Sequence, residues 1–272
     1  MWQIILLFFI TLRHIYHIEM SLMLDKNCRY VLIGSCFSQY MGERMQAQGY
    51  YAVCNPLGTL FNPESIRNTV VHALEGTSDA LPLFFDETMK EWRCWWANTR
   101  FRSPQENDVR AIVQDVFDGL GNELRRAHRL FITLGTNVCY RLVHEGSVVS
   151  NCQRQPDALF REETLSVDRL CVILGQTIDC LASYNAALKI TFTVSPYRYK
   201  KYGWHRSQLS KASLLLAIDE MQRRYPDRVD YFPSYEIMMD ELRDYRYYAE
   251  DGLHPAPEAV DIIWKRLCEQ TP

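Results

Sequence analysis

Five short apolar runs, each followed by a turn residue and separated from the next by a helical stretch, constrain this chain most. Residues 29–33 (RYVLI) stop at Gly34, and residues 51–53 stop before Asn55-Pro56. Residues 131–134 stop at Gly135, residues 189–194 (KITFTV) at Ser195-Pro196, and residues 229–232 at Pro233. Runs of this length suit strands buried on both faces. Helical patterns fill the gaps at 38–48, 63–74, 103–128, 166–183, 211–224 and 257–268. The stretch 103–128 carries a possible break at Gly119 and Gly121. Alternation of this kind implies βαβ units and a parallel sheet covered on both faces. Residues 83–101, with Trp92, Trp95 and Trp96, read as an inserted hairpin.

The 272 residues suffice for one large α/β domain. A net charge of −3 lacks the basic footprint of a nucleic-acid binder, so no nucleic-acid partner is expected. Nine cysteines occur at irregular spacing without a C-x-x-C pair, which argues against a zinc ribbon or a thioredoxin-type motif. They read as reduced thiols in a cytoplasmic protein. Residues 2–12 (WQIILLFFITL) pull the other way, toward export or anchoring. That run is shorter than the roughly 20 residues a bilayer span needs. It also lacks the preceding positive charge of a signal peptide. Residues 1–28 therefore read as an extension or capping segment, whose apolar run could touch a membrane, and residues 29–272 as one domain. The sequence leaves the oligomeric state open.

In open parallel sheets the ligand site lies beyond the C-terminal ends of the strands. The polar residues there are Ser35 and Cys36, Asn55 and Gly58, Thr136 and Asn137, Ser195 and Arg198, and Asp251 with His254. Ser35, between a strand and a helix, is either a nucleophile or a helix N-cap, two roles with one local signature. Asp251 and His254 stand three apart, so the carboxylate can accept from Nδ1–H and leave Nε2 as a base. Alternatively Asp251 caps a turn and His254 is a surface residue. Gly58 and Asn137 are possible oxyanion donors, or simply turn residues. Cys36 offers a thiol beside a helix N-terminus, with its side chain expected to point away from that of Ser35. The alternating charges of residues 240–251 suit a salt-bridged rim better than a metal site; no metal or other cofactor is expected.

Together these segments resemble one family. Gly34-Ser35-Cys36-Phe37-Ser38 is similar to the GSCFA signature, with Ser38 for the final Ala. Asn55-Pro56-Leu57-Gly58, Leu134-Gly135-Thr136, Asn151-Cys152, Thr193-Val194-Ser195-Pro196, Ser210-Lys211-Ala212 and the run from Asp240 to His254-Pro255 match as well. The chain is identified as a member of this bacterial family, which resembles a branch of the SGNH/GDSL hydrolases. The resemblance implies a three-layer α/β/α sandwich around a five-stranded parallel, flavodoxin-like sheet. It implies Ser35, Asp251 and His254 as catalytic residues, and Gly58 with Asn137 or Asn151 as oxyanion donors. The family's usual His in the Asn-Cys-His segment is Gln153 here. The expected function is that of a serine esterase or O-acyl hydrolase working through an acyl-enzyme on a small-molecule or glycan ester. Asn55, Thr136, Ser195 and Arg198 are expected to touch the substrate. A non-catalytic glycan-binding module using Arg198 and the three tryptophans is the alternative.

Overall fold

The structure, a computed structural model, describes residues 24–76 and 81–269. The apolar run at residues 2–12 lies outside the described residues. Along the chain run β1 (Arg29–Gly34), α1 (Cys36–Ala47), β2 (Tyr51–Cys54) and α2 (Pro63–Glu75). Next come β3 (Leu83–Asp86), β4 (Glu91–Cys94), β5 (Arg102–Ser103), α3 (Glu106–Arg126) and β6 (Arg129–Leu134). Then follow β7 (Val138–Leu142), β8 (Val148–Val149), β9 (Phe160–Thr164), α4 (Val167–Tyr184) and β10 (Lys189–Val194). The chain continues through α5 (Trp204–Arg224), β11 (Val229–Tyr231) and α6 (Pro257–Glu269).

The five apolar runs form one sheet in the order β11-β10-β6-β1-β2, parallel throughout. Strand pleating sends alternate side chains to opposite faces. Tyr30 and Leu32 accordingly pack with Phe37, Met41 and Met45 of α1 and Ile263 and Trp264 of α6. Val31 and Ile33 pack with α2, α3, α4 and α5 on the other face. The result is a three-layer α/β/α arrangement. Leu24 is buried in the α1–α6 layer, so packing begins before residue 29.

The structure differs from the sequence expectations in several places. Helix α1 begins at Cys36 rather than residue 38, because Ser35 caps it. Helix α3 runs unbroken past Gly119 and Gly121. Gly121 lies so close to the Ala73 carbonyl that a side chain would not fit, so this glycine serves helix packing. Strands β3, β4 and β5 form a three-stranded antiparallel sheet. A second antiparallel sheet, β8-β7-β9, was not anticipated. Helix α5 starts at Trp204, seven positions before the expected 211. No described helix is long and apolar enough to cross a membrane.

Candidate active site

Asp251 and His254 come together on the loop before α6. The His254 Nδ1 lies 2.5 Å from Asp251 Oδ2. Asp251 Oδ1 accepts from the backbone N–H groups of Leu253 (2.8 Å) and His254 (2.9 Å). Those three N–H groups, the imidazole's first, hold the Asp251 carboxyl down to about 2. Gly252 at φ 66 makes the tight turn possible, and the Arg198 N–H ties it to the loop after β10 by donating to Leu253 O at 3.1 Å. The Tyr197 ring lies 4.5 Å from the His254 ring, centroid to centroid. The pair lines a cavity of about 470 Å³. Tyr40 and Glu43 of α1 line that cavity with Asp251 and His254.

Ser35 follows β1 and is 1% exposed. Its Oγ accepts from Phe37 N–H at 3.3 Å, the N-cap role. Its own N–H donates to Thr133 O at 3.0 Å. Gly34, at φ +136, lies so close to Thr133 that a Cβ would overlap that carbonyl. Cys36 is the first helical residue and is half-buried. Burial pushes its thiol up, while the N–H groups of Cys36 and Phe37 and the charge of Lys211 pull it back. The Asp251 carboxylate adds to the upward push.

The remaining expected residues mostly brace loops. Asn55, in the left-handed region at φ 42, accepts from Gly34 N–H at 2.9 Å and donates to Ser35 O at 3.3 Å. Gly58 donates its N–H to Asn55 O at 2.8 Å, so in this conformation that group is not offered to an oxyanion. The Asn137 amide donates to Leu165 O at 2.9 Å, toward β9 rather than Ser35. Asn151 accepts from Gln153 N–H at 2.7 Å. Thr136 and Ser195 are buried; Thr136 meets the Ser210 hydroxyl at 3.1 Å, and Ser195 Oγ accepts from Tyr197 N–H at 3.3 Å. Arg198 stacks on Trp204 at 4.0 Å and lies 5.1 Å from the Tyr248 ring. The insert's tryptophans serve packing instead. Trp95 is buried and stacked on Phe84, and Trp96 donates to Val148 O. In the rim, Glu241 pairs with Arg266 at 3.0 Å and Asp244 with Arg246 at 3.7 Å.

One residue was quoted only as part of a sequence match. Lys211 is 2% exposed, and its ammonium donates to Gly135 O and Ser195 O at 2.7 Å each. It thereby joins the loops after β6 and β10. Burial lowers this lysine to about 7, opposed by the neighbouring Cys36.

No curated protein matches the chain. Among solved structures it is similar to a putative acylhydrolase from Bacteroides fragilis: 13% identity, TM-score 0.46, covering 91% of this chain and 88% of that one. It is also similar to a GDSL-like lipase from Bacteroides thetaiotaomicron: 13% identity, TM-score 0.45, covering 92% of each chain. A family model, that of the GSCFA family, matches residues 29–267. That match takes in both ends of the site, from the segment after β1 to the loop and helix that carry Asp251 and His254, and the chain belongs to the GSCFA family.

Proposed function

We propose that this protein hydrolyses carboxylic esters, with His254 as general base and Asp251 as its orienting carboxylate. The observation that carries this reading is the 2.5 Å contact between His254 Nδ1 and Asp251 Oδ2 beside helix α1. An imidazole that donates Nδ1–H to a carboxylate presents Nε2 as a base. The carboxylate also stabilises the imidazolium formed after proton transfer. A nucleophile in the segment after β1 attacks the ester carbonyl, and the protonated His254 returns its proton to the leaving alcohol. Water then cleaves the acyl-enzyme. The sequence expects Ser35 in the attacking role; base and orienter are the same for either side chain of the Ser35-Cys36 pair.

A glycan ester is the finer reading of the substrate. Trp204 and Tyr245 are exposed beside Arg198, and Tyr199 and Tyr202 stack nearby. Exposed rings with a polar rim suit the apolar faces of sugars. The test is turnover of p-nitrophenyl acetate and an acetylated oligosaccharide by wild type and His254→Ala. Turnover by wild type and its loss in the variant are expected. Equal rates in both, or none in wild type on any ester, would overturn the assignment.

A further inference from the structure

We infer that Cys36, rather than Ser35, is the nucleophile of the ester cleavage proposed above; the inference rests on that reading. The argument begins with helix geometry. Positions i, i+4 and i+7 of a helix share one face. Cys36, Tyr40 and Glu43 stand in that relation on α1. Tyr40 and Glu43 line the cavity that also contains Asp251 and His254. The face carrying Cys36 is therefore the one turned toward the acid–base pair.

The other face of α1 is occupied. Phe37, Met41 and Met45 are buried against the sheet, and Ser38 Oγ donates to Thr133 Oγ1 at 2.7 Å. Ser35 lies outside both groups. It is 1% exposed, its hydroxyl accepts from Phe37 N–H, its N–H is held by Thr133 O, and its carbonyl accepts from Asn55 Nδ2 at 3.3 Å. An attacking atom must come within about 3–3.5 Å of the carbonyl carbon in a near-attack geometry. A hydroxyl buried and bonded in this way is poorly placed to reach a substrate, whereas Cys36 is only partly buried.

The surroundings of the thiol agree. Tyr197 packs on the His254 ring, and Tyr40, one turn on from Cys36, lines the same cavity as Asp251 and His254. Burial keeps the resting thiol protonated, so a base must remove its proton during attack.

The chemistry balances with water alone. Nε2 of His254 takes the thiol proton as the S–C bond forms and the carbonyl π pair moves to oxygen. Collapse of that oxyanion breaks the C–O bond, and the imidazolium protonates the departing alkoxide. Water, deprotonated by His254, then attacks the thioester; the S–C bond breaks, the acid leaves and the thiol is regenerated.

The experiment compares Cys36→Ala, Ser35→Gly and His254→Ala on p-nitrophenyl acetate, with circular dichroism as the control for folding. Glycine is chosen at position 35 because it is itself a favoured N-cap residue and replaces a serine cap with little loss of stability. The acyl-enzyme formed during turnover is trapped by acid quench and mapped by mass spectrometry. Expected are a loss of about 10³-fold or more in kcat for Cys36→Ala, retention within about fivefold for Ser35→Gly, and an adduct on residue 36 released by neutral hydroxylamine. The inference is overturned, with the hydrolase reading intact, if Ser35→Gly is inactive, Cys36→Ala is active and the adduct sits on residue 35. If His254→Ala also retains full turnover, both fall.

Discussion

The Tyr197 ring packs against the His254 imidazole with centroids 4.5 Å apart and the ring planes inclined at 55°. The ring limits imidazole rotation without bonding either nitrogen. Tyr197→Ala is expected to lower kcat by between about 10- and 100-fold, as misplaced catalytic groups do, with a smaller change in KM. Tyr197→Phe keeps the ring and should match wild type. Steady-state kinetics of the two variants checks this.

Asp251 is held near 2 by His254 and two backbone N–H groups, so it stays ionised from about pH 4 upward. Its carboxyl carbon should show no titration between pH 8 and pH 4 when followed by ¹³C NMR. Asp251→Asn should cost about 10⁴-fold in kcat, because an amide can no longer fix the imidazole tautomer.

Lys211 gives a stability signature with a definite sign. Its folded value is about 7, below the 10.5 of a free lysine. Between these values the unfolded chain binds one proton more than the folded chain, so stability rises with pH. The contribution is at most about 1.4 kcal/mol per pH unit. Other groups titrate in this range, so the measured quantity is the difference in unfolding free energy between wild type and Lys211→Met. That difference should grow in favour of wild type from pH 7 to pH 9 and stay flat from pH 6 downward.

Gly34 has no room for a methyl group. Its φ is +136, and the overlapping atom is a backbone carbonyl of the neighbouring strand β6. Gly34→Ala should lose more than about 4 kcal/mol or fail to yield folded protein, because strain and overlap add. Urea denaturation, or the soluble fraction on expression, provides the check.

Glu64 in the first turn of α2 is a buried carboxylate. Arg141 of β7 lies 2.7 Å away and Arg169 of α4 lies 3.7 Å away. Arg141 also pairs with Glu163, so removing the Glu64 charge does not leave it without a partner. Glu64→Gln is expected to destabilise the protein by about 1–2 kcal/mol, read as a lower urea midpoint at unchanged slope.

The parallel sheet was legible because its strands are continuous apolar runs, a pattern that surface strands do not produce. The β8-β7-β9 sheet was not. β9 is FREET, mostly polar, and its partner β8 has two residues. Helix α5 was read seven positions late because Gly203 gives it no capping side chain. The Asp251–His254 contact was legible, since two residues three positions apart on one turn suffice to form it. The segment after β1 was less so. Placing the helix start at residue 38 hid which side chains share a face, and the true start at Cys36 makes Ser35 the cap. The role of Lys211 was illegible, because both carbonyls it binds lie on distant segments.

The packing of α6 against α1 has a consequence for synthesis. Arg44 donates to Asp261 at 2.7 Å, and Ile263, Trp264 and Leu267 cover the apolar face of α1. A ribosome makes α1 some two hundred residues before it makes that cover. For most of translation the helix therefore leaves Phe37, Met41 and Met45 without their partners. The same delay keeps His254 and Asp251 from meeting α1, so the proposed base reaches its segment only when synthesis is nearly finished.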